Sequence, residues 1–287
     1  MTVLGTGTAN AGISVLHAAG LGKGCSVGID LQCEVRLIEG VHESKDDNHG
    51  LLDSVMQSWI DSDYPRFDGV GWEIDSQIPI AQGLKSSAAV ACAAIRALDQ
   101  ASWTGLRDYQ VVDMAVEAQR RSRCTITGSM DDAWAAVSDG WKLVDPTVQS
   151  RESVLMEGDL EEELEILIGL RGPRVISADT IDFESQSKLF ERALASLSNG
   201  SILSAISTNG MAVSAAMGDD ESLRLCNSLI VRGALAAGVS GSGPAVAAIC
   251  HSDSRDVVEI LEDSCDRVIR TGFTNRPTIE EEASRWE

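Results

Sequence analysis

Positions 79–98 read PIAQGLKSSAAVACAAIRAL, and the alanine-rich run 87–100 has one well-suited conformation, because alanine is the strongest helix former. This segment constrains the chain more than any other. Directly before the helix stand Gly83, Lys85, Ser86 and Ser87, where a helix start needs only one capping residue. Two readings fit. The helix is a serine-capped core element with a surface lysine, or 83–87 holds an anion. A glycine admits a ligand to the backbone without a Cβ in the way. The first amides of a helix lack intrahelical partners and lie at the positive end of its dipole. Two hydroxyls can bind phosphate oxygens or a metal ion, and Lys85 adds a full positive charge.

That charge stands out against the composition. Asp plus Glu number 44 against 23 Lys plus Arg, a formal net charge of −21, and the only lysines are Lys23, Lys45, Lys85, Lys142 and Lys188. Such self-repulsion favours solubility and excludes nucleic acid as the expected partner. No apolar run is long enough to span a bilayer, and no basic region precedes the apolar N-terminal stretch as in a signal peptide. The seven cysteines are scattered without a CxxC pair, which removes zinc-ribbon spacing. A cytoplasmic, small-molecule role is the expectation. The acidic, lysine-poor balance further suggests a halophilic source, since salt screens the repulsion.

Coarse patterning gives strand and loop over 3–36, a polar loop over 42–50, a short helix at 51–60 and a strand over 69–80. Helices follow at 87–100 and 107–121. The segment 130–145 runs to a turn at Asp145-Pro146, where a domain boundary is placed (1–148 and 149–287). Beyond it, LEILIGL reads as a strand followed by RVIS at 174–177. Helical periodicity covers 183–196, 201–217 and 221–237, then a glycine loop feeds a strand at 238–250, a helix spans 253–263 and DRVIRTGFT closes as a strand. This irregular alternation suggests an antiparallel sheet backed by helices, an α+β class.

Two further stretches carry chemistry. In TITGSMDDAWAA, the pair Asp131-Asp132 follows a glycine and opens a helical run. One carboxylate can accept a hydroxyl proton while a nearby cation keeps it ionised, or the pair can simply favour the helix dipole. Glu117, on the preceding helix, is a candidate magnesium ligand. In GVSGSGPAVAAIC, three glycines and two serines before an apolar strand make either a close-approach loop or a tight turn. Neither HAAGLGKG nor IAQGLKSS fits the Walker A pattern, and GTGTAN lacks the last glycine of the Rossmann fingerprint.

Taken in order, the three stretches resemble the GHMP family of small-molecule kinases. That family's second motif, P-x-x-x-G-L-G-S-S-A-A, is matched by PIAQGLKSSAA except at Lys85, and its last glycine-rich motif by GVSGSGPA. The archaeal-type shikimate kinases, a branch of the family, are similar in carrying G-L-K-S-S, and also resemble this chain at GLGKGCSVGIDL and TITGSMDDAWAA. His17 stands where that branch carries asparagine.

The resemblance implies a GHMP kinase fold: an N-terminal domain like domain 2 of ribosomal S5 and a ferredoxin-like C-terminal domain, with ATP between them. Pro79, Ile80, Ala81, Gln82, Gly83, Leu84, Lys85, Ser86, Ser87, Ala88 and Ala89 would wrap the triphosphate. Ser87 and Glu117 would hold Mg²⁺. Lys85 would stabilise transferring phosphate, and Asp131, with Asp132 in reserve, would take the proton of the attacking hydroxyl. The implied reaction phosphorylates shikimate at its 3-hydroxyl; homoserine or mevalonate are the other family acceptors considered. A non-catalytic sugar sensor on the same fold would have a damaged phosphate motif or lack an acid at 131, and neither is seen. Arg36, Arg121, Arg123 and Arg232 are unranked candidates for the substrate's carboxylate. If the halophilic reading holds, thermal unfolding followed across a KCl series should show stability falling as KCl is withdrawn; full stability in dilute buffer would refute it.

Overall fold

A computed structural model of the chain describes residues 2–40, 49–125, 128–160, 163–173 and 180–274. The expected strand at 174–177 and most of the expected loop at 42–50 lie outside the described residues.

The segment 3–36 is more regular than its glycine content suggests. It is a hairpin of two long antiparallel strands, β1 (Val3–Leu16) and β2 (Gly24–Glu39), joined through the one-turn helix α1 (Ala18–Leu21). Along its free edge β2 is shared. Its start pairs with β4 (Trp141–Val144) and its end with β3 (Val70–Ser76). The gap between them is filled from the far end of the chain. Ile29 bridges to Phe273, Asp30 N donates to Gly272 O at 3.0 Å, and Thr274 N donates to Gly28 O at 3.1 Å.

Helices α2 (Leu51–Asp61), α3 (Ser86–Ser102), α4 (Asp108–Ser122) and α5 (Met130–Val137) pack with this sheet and with one another. The alanine-rich helix α3 lies directly on β1. Gly5, Gly7, Ala9 and Ala11 alternate on the buried face of the strand. A Cβ added to Gly5 or Gly7 would collide with the α3 backbone at Ala97 or Ala93. Small residues on both partners thus let helix and strand meet backbone to backbone. The free edge of β1 is blunted by the same helix: Thr6 N donates to Gln100 Oε1 at 2.6 Å, and Arg96 donates to Thr8 O at 2.9 Å. Side chains that occupy edge groups discourage pairing with another strand.

The first sheet continues past the expected domain boundary. After the turn at Asp145-Pro146 the chain makes α6 (Ser150–Ser153) and returns as β5 (Val154–Gly158), which pairs with β4. The change of sheet falls between Gly158 and Leu164, some ten residues past the expected boundary at 148. A Pro turn inside a hairpin connection looks, in sequence, like a linker.

The second sheet is formed by β6 (Leu164–Leu170), β7 (Ala236–Val239), β8 (Val246–His251) and β9 (Arg267–Thr271), in the order β7-β8-β6-β9 with every pair antiparallel. Helices α7 (Ser187–Ser198), α8 (Ile202–Met217) and α9 (Asp220–Val231) precede β7, and α10 (Arg255–Ser264) separates β8 from β9. This is the split β-α-β arrangement of ferredoxin-like domains. The helical periodicity expected over 221–237 stops at Val231. Gly233, at φ 106°, turns the chain, and Ala236–Val239 becomes a strand because β8 offers it a ladder.

The close contact between α3 and β1 is testable. Gly7→Ala should lower the unfolding free energy by about 1–3 kcal/mol, as an overpacked core methyl does, measured by urea denaturation. An unchanged midpoint would mean the helix can move away from the strand without loss.

Candidate active site

The start of α3 is unusual in its backbone. Lys85 is the N-cap residue yet sits in the left-handed region at φ 66°, following Gly83 at φ 79°. That turn directs the lysine side chain inward. Its Nζ lies 2.6 Å from Asp132 Oδ1 and donates to Ser14 Oγ at 2.7 Å, with the Lys85 side chain only 7 % exposed. Of the two initial readings, the capped helix with a solvated lysine is therefore the wrong one. The scarce cation is buried, paired and tied to three elements.

Asp131 and Asp132 open α5 and divide the work by environment. Asp131 is buried, and its Oδ2 accepts from Ser26 Oγ on β2 at 2.7 Å. Ser26 Oγ also lies 3.1 Å from Asp132 Oδ1. Gly24 makes room for this: a Cβ there would strike the Asp131 carboxylate. Burial first, and the neighbouring Asp132 charge second, push the Asp131 carboxyl from 3.8 to about 7, against the opposing pull of Lys85. Asp132, by contrast, has the ammonium at hydrogen-bond distance. Two adjacent carboxylates with different surroundings are the pattern by which acid and base roles are separated.

The third glycine stretch joins the site from the other domain. The loop between β7 and β8, which contains a cis Gly243-Pro244 bond, lies on the loop before α3. Ser240 Oγ donates to Gly83 O at 2.8 Å and Ala245 N to Gln82 O at 3.3 Å. Gly241 N donates to Ser14 Oγ at 3.2 Å. A Cβ on Gly83 would collide with Ser240 O. The glycine at this position is there for backbone contact between domains as much as for a ligand. Gln82 adds a side-chain bond to Gly172 O at 2.8 Å. In the same loop, Ala81 is also left-handed at φ 59° and Ile80 is exposed.

The expected pairing of Ser87 with Glu117 is not found. On α4, Glu117 points outward and bonds to Arg121. Gln119 is fully buried on the opposite face, and Ser87 Oγ donates to Gln119 Oε1 at 3.3 Å. Residues two apart on a helix do not share a face, so the residue facing α3 is the glutamine. Among the described residues no cluster of three or more His, Cys, Asp or Glu is placed to hold a metal ion.

The four arginine candidates fare poorly. Arg36 is paired with Glu34 and Glu73, ten residues along β2 from Ser26. Arg121 is paired with Asp61 at 2.9 Å and Arg232 with Asp256 at 3.6 Å. Arg123 is exposed at the C-cap of α4. An arginine that was not singled out, Arg120, has its guanidinium against Gly128, three residues before Asp131. Ser14, Ser26 and Gln119 were also missed: Ser14 and Gln119 lie inside a strand and a helix with no motif to mark them, and Ser26 lies within GLGKGCSVGIDL, where the resemblance offered a signal that was not followed to the residue. His17, in place of the expected asparagine, caps α1 by accepting from Ala19 N at 3.2 Å and stacks on Phe183.

Three motif loops meeting between a sheet-and-helix domain and a ferredoxin-like domain define a small-molecule kinase architecture. The chain belongs to the GHMP kinase family: residues 51–140 match the GHMP kinases N terminal domain and 191–267 the GHMP kinases C terminal domain. It is 30 % identical to the shikimate kinase of Pyrococcus abyssi, over 89 % of this chain and 94 % of that one. It is 31 % identical to the shikimate kinase of Thermococcus kodakarensis, over 85 % and 91 %. The fold is similar to that of L. major mevalonate kinase in complex with R-mevalonate, with TM-score 0.69, 17 % identity and coverage of 96 % and 97 %. It is also similar to homoserine kinase from Cytophaga hutchinsonii, with TM-score 0.65, 17 % identity and coverage of 94 % and 96 %.

A carboxyl whose folded pKa lies above its unfolded value opposes folding once both states are ionised. Between about pH 4 and pH 7 the folded state holds a proton that the unfolded state has released, so this contribution falls as pH rises. Asp131→Asn should therefore stabilise the protein at pH 8 and do so less at pH 5, read by thermal unfolding. An equal effect at both values would contradict the burial-driven shift.

Proposed function

We propose that the chain is an ATP-dependent shikimate kinase. It transfers the γ-phosphate of ATP to the 3-hydroxyl of shikimate, giving shikimate 3-phosphate and ADP. The observation that carries the reading is the bonded cluster Asp131–Ser26–Asp132–Lys85 at the mouth of α3. The shikimate kinase relatives, similar over most of their length, favour this acceptor. The mevalonate and homoserine kinase structures bear on the fold alone.

Phosphoryl transfer passes through a loose transition state with charge spread over the phosphate oxygens, so catalysis is mostly positioning and charge neutralisation. The free amides of the first turn of α3 and the Lys85 ammonium face that charge. Asp131, with its carboxyl near the operating pH, takes the proton of the attacking hydroxyl. Its burial keeps the base dry and in one orientation. The substrate's own carboxylate calls for a guanidinium, which can bind it through two parallel bonds. Arg120, beside Gly128, is the candidate in place of the four considered from sequence.

Magnesium would neutralise the phosphate oxygens when bound. Of its expected ligands only Ser87 stands at the start of α3: Glu117 faces outward, and Gln119 is fully buried with its Oε1 accepting from Ser87, so neither joins Ser87 as the carboxylate this ion usually takes beside phosphate and water. No described helix is long and apolar enough to cross a membrane, which agrees with a metabolic enzyme acting in the cytoplasm.

The deciding experiment is an ADP-release assay with ATP and Mg²⁺ offered shikimate, homoserine and mevalonate in turn, at high and low KCl. Turnover with shikimate alone is expected; turnover with either other alcohol instead would reassign the acceptor. Asp131→Ala should abolish turnover while leaving ATP binding largely intact. Lys85→Ala should lose about 2–4 kcal/mol of transition-state stabilisation, the scale of other preorganised charge contacts. A loss of tenfold or less would make the lysine a structural residue.

A further inference from the structure

The cluster contains one hydroxyl between two carboxylates. Ser26 Oγ is 2.7 Å from Asp131 Oδ2 and 3.1 Å from Asp132 Oδ1, and the serine is 1 % exposed. A serine hydroxyl has one proton to donate and two lone pairs to accept with. It can serve only one of the two acceptors at a time. Asp132 stays an acceptor because Lys85 Nζ is 2.6 Å from the same oxygen that faces Ser26. Among the described residues no cation lies at hydrogen-bond distance from Asp131, and its carboxyl is the one that gains a proton in the proposed reaction.

We infer that Ser26 is a positioning residue whose hydroxyl reverses direction with the protonation of Asp131, and that Asp132 is the anion it turns to. This rests on the proposed role of Asp131 as proton acceptor. With Asp131 ionised, Ser26 O–H donates to Asp131 Oδ2. Once Asp131 has taken the proton from the attacking hydroxyl, its new O–H donates to Ser26 Oγ, and Ser26 O–H donates to Asp132 Oδ1. The proton remains on Asp131; only the direction of two hydrogen bonds changes. The contact to Asp131 Oδ2 thus survives in both protonation states, while the 2.7 Å bond that Ser26 donates to the ionised carboxylate is shorter than the 3.1 Å one to Asp132, so the hydroxyl favours the charged form of Asp131. Lys85 holds Asp132 Oδ1 in place from the other side.

The titratable groups around Asp131 agree with this assignment. Asp132 lies beside it on α5 and raises its carboxyl, while Lys85 from α3 and the Ser26 hydroxyl from β2 lower it. Cys25, also on β2, is itself pushed up by burial and by Asp131, so it stays a neutral thiol. Lys142 on β4 acts on Cys25, and its Nζ donates to Asp139 O at 3.0 Å. Arg120 on α4 lies against Gly128.

The test compares two variants whose effects have opposite sign. Ser26→Ala removes the donor to ionised Asp131, and Asp132→Asn removes the neighbouring negative charge. The Asp131 midpoint should move up by about one pH unit in Ser26→Ala, the scale of one hydrogen bond to a charged group, and down in Asp132→Asn. Ser26→Thr, which keeps the hydroxyl, should stay near the unaltered protein and controls for repacking. The readout is a carboxyl-¹³C NMR titration of the free protein, with the Asp131 signal identified by its loss in Asp131→Asn. The acid limb of kcat/KM with shikimate should shift in the same two directions. Midpoints that move the same way in both variants, or in neither, would overturn the inference. If shikimate is not turned over but the NMR midpoints move in opposite directions, the acceptor is wrong and the hydroxyl's role stands.

Discussion

The close packing of α3 on β1 is the constraint on which the site depends. Gly5, Gly7 and Ala9 on the strand, against alanines on the helix, bring two backbones into contact. With so little side chain between them, the mouth of α3 is held at a definite height above the sheet. From there Lys85 can reach Ser14 on β1 and Asp132 on α5 at the same time. A larger residue at the strand positions would lift the helix and pull the cation from both partners.

Charge in the cluster is arranged by access to water as much as by proximity. A buried ion pair carries a desolvation penalty that its mutual attraction offsets only with good geometry and further hydrogen bonds. Lys85 and Asp132 have both, through Ser14 and Ser26. Asp131, one residue away, is buried with no cation among the described residues at hydrogen-bond distance, so its carboxyl rises. In a protein of net charge −21 a buried lysine is unlike the surface.

The second domain reaches the site through backbone groups and one serine hydroxyl. Ser240, Gly241 and Ala245 bond to Gly83, Ser14 and Gln82, and the segment 272–274 fills the gap along β2. Two separate seams thus tie the ferredoxin-like unit to the first sheet, one at the loop before α3 and one behind it. Any movement of the domains about the site would have to lengthen bonds at the first seam or bend the chain at the second.

Much was legible before the structure. The helical runs of α3, α4 and α8, the glycine loops flanking the site, the α+β class and the family resemblance all follow from local rules, because propensity, periodicity and motif spacing act within a few residues. The errors came where neighbours decide. The run 221–237 looked helical throughout until β8 offered Ala236–Val239 a ladder. Glu117 looked like the ligand until the helix face put Gln119 against Ser87. Sequence by itself determined that a glycine, a lysine and two serines precede an alanine-rich helix and that an acidic pair opens another. Only the tertiary structure decided that Lys85 pairs with Asp132 rather than Asp131, and that Ser26 joins the two carboxylates. Those contacts span 47 residues from Lys85 to Asp132 and 105 and 106 from Ser26 to the two carboxylates, and no local pattern encodes which partner a buried charge will meet.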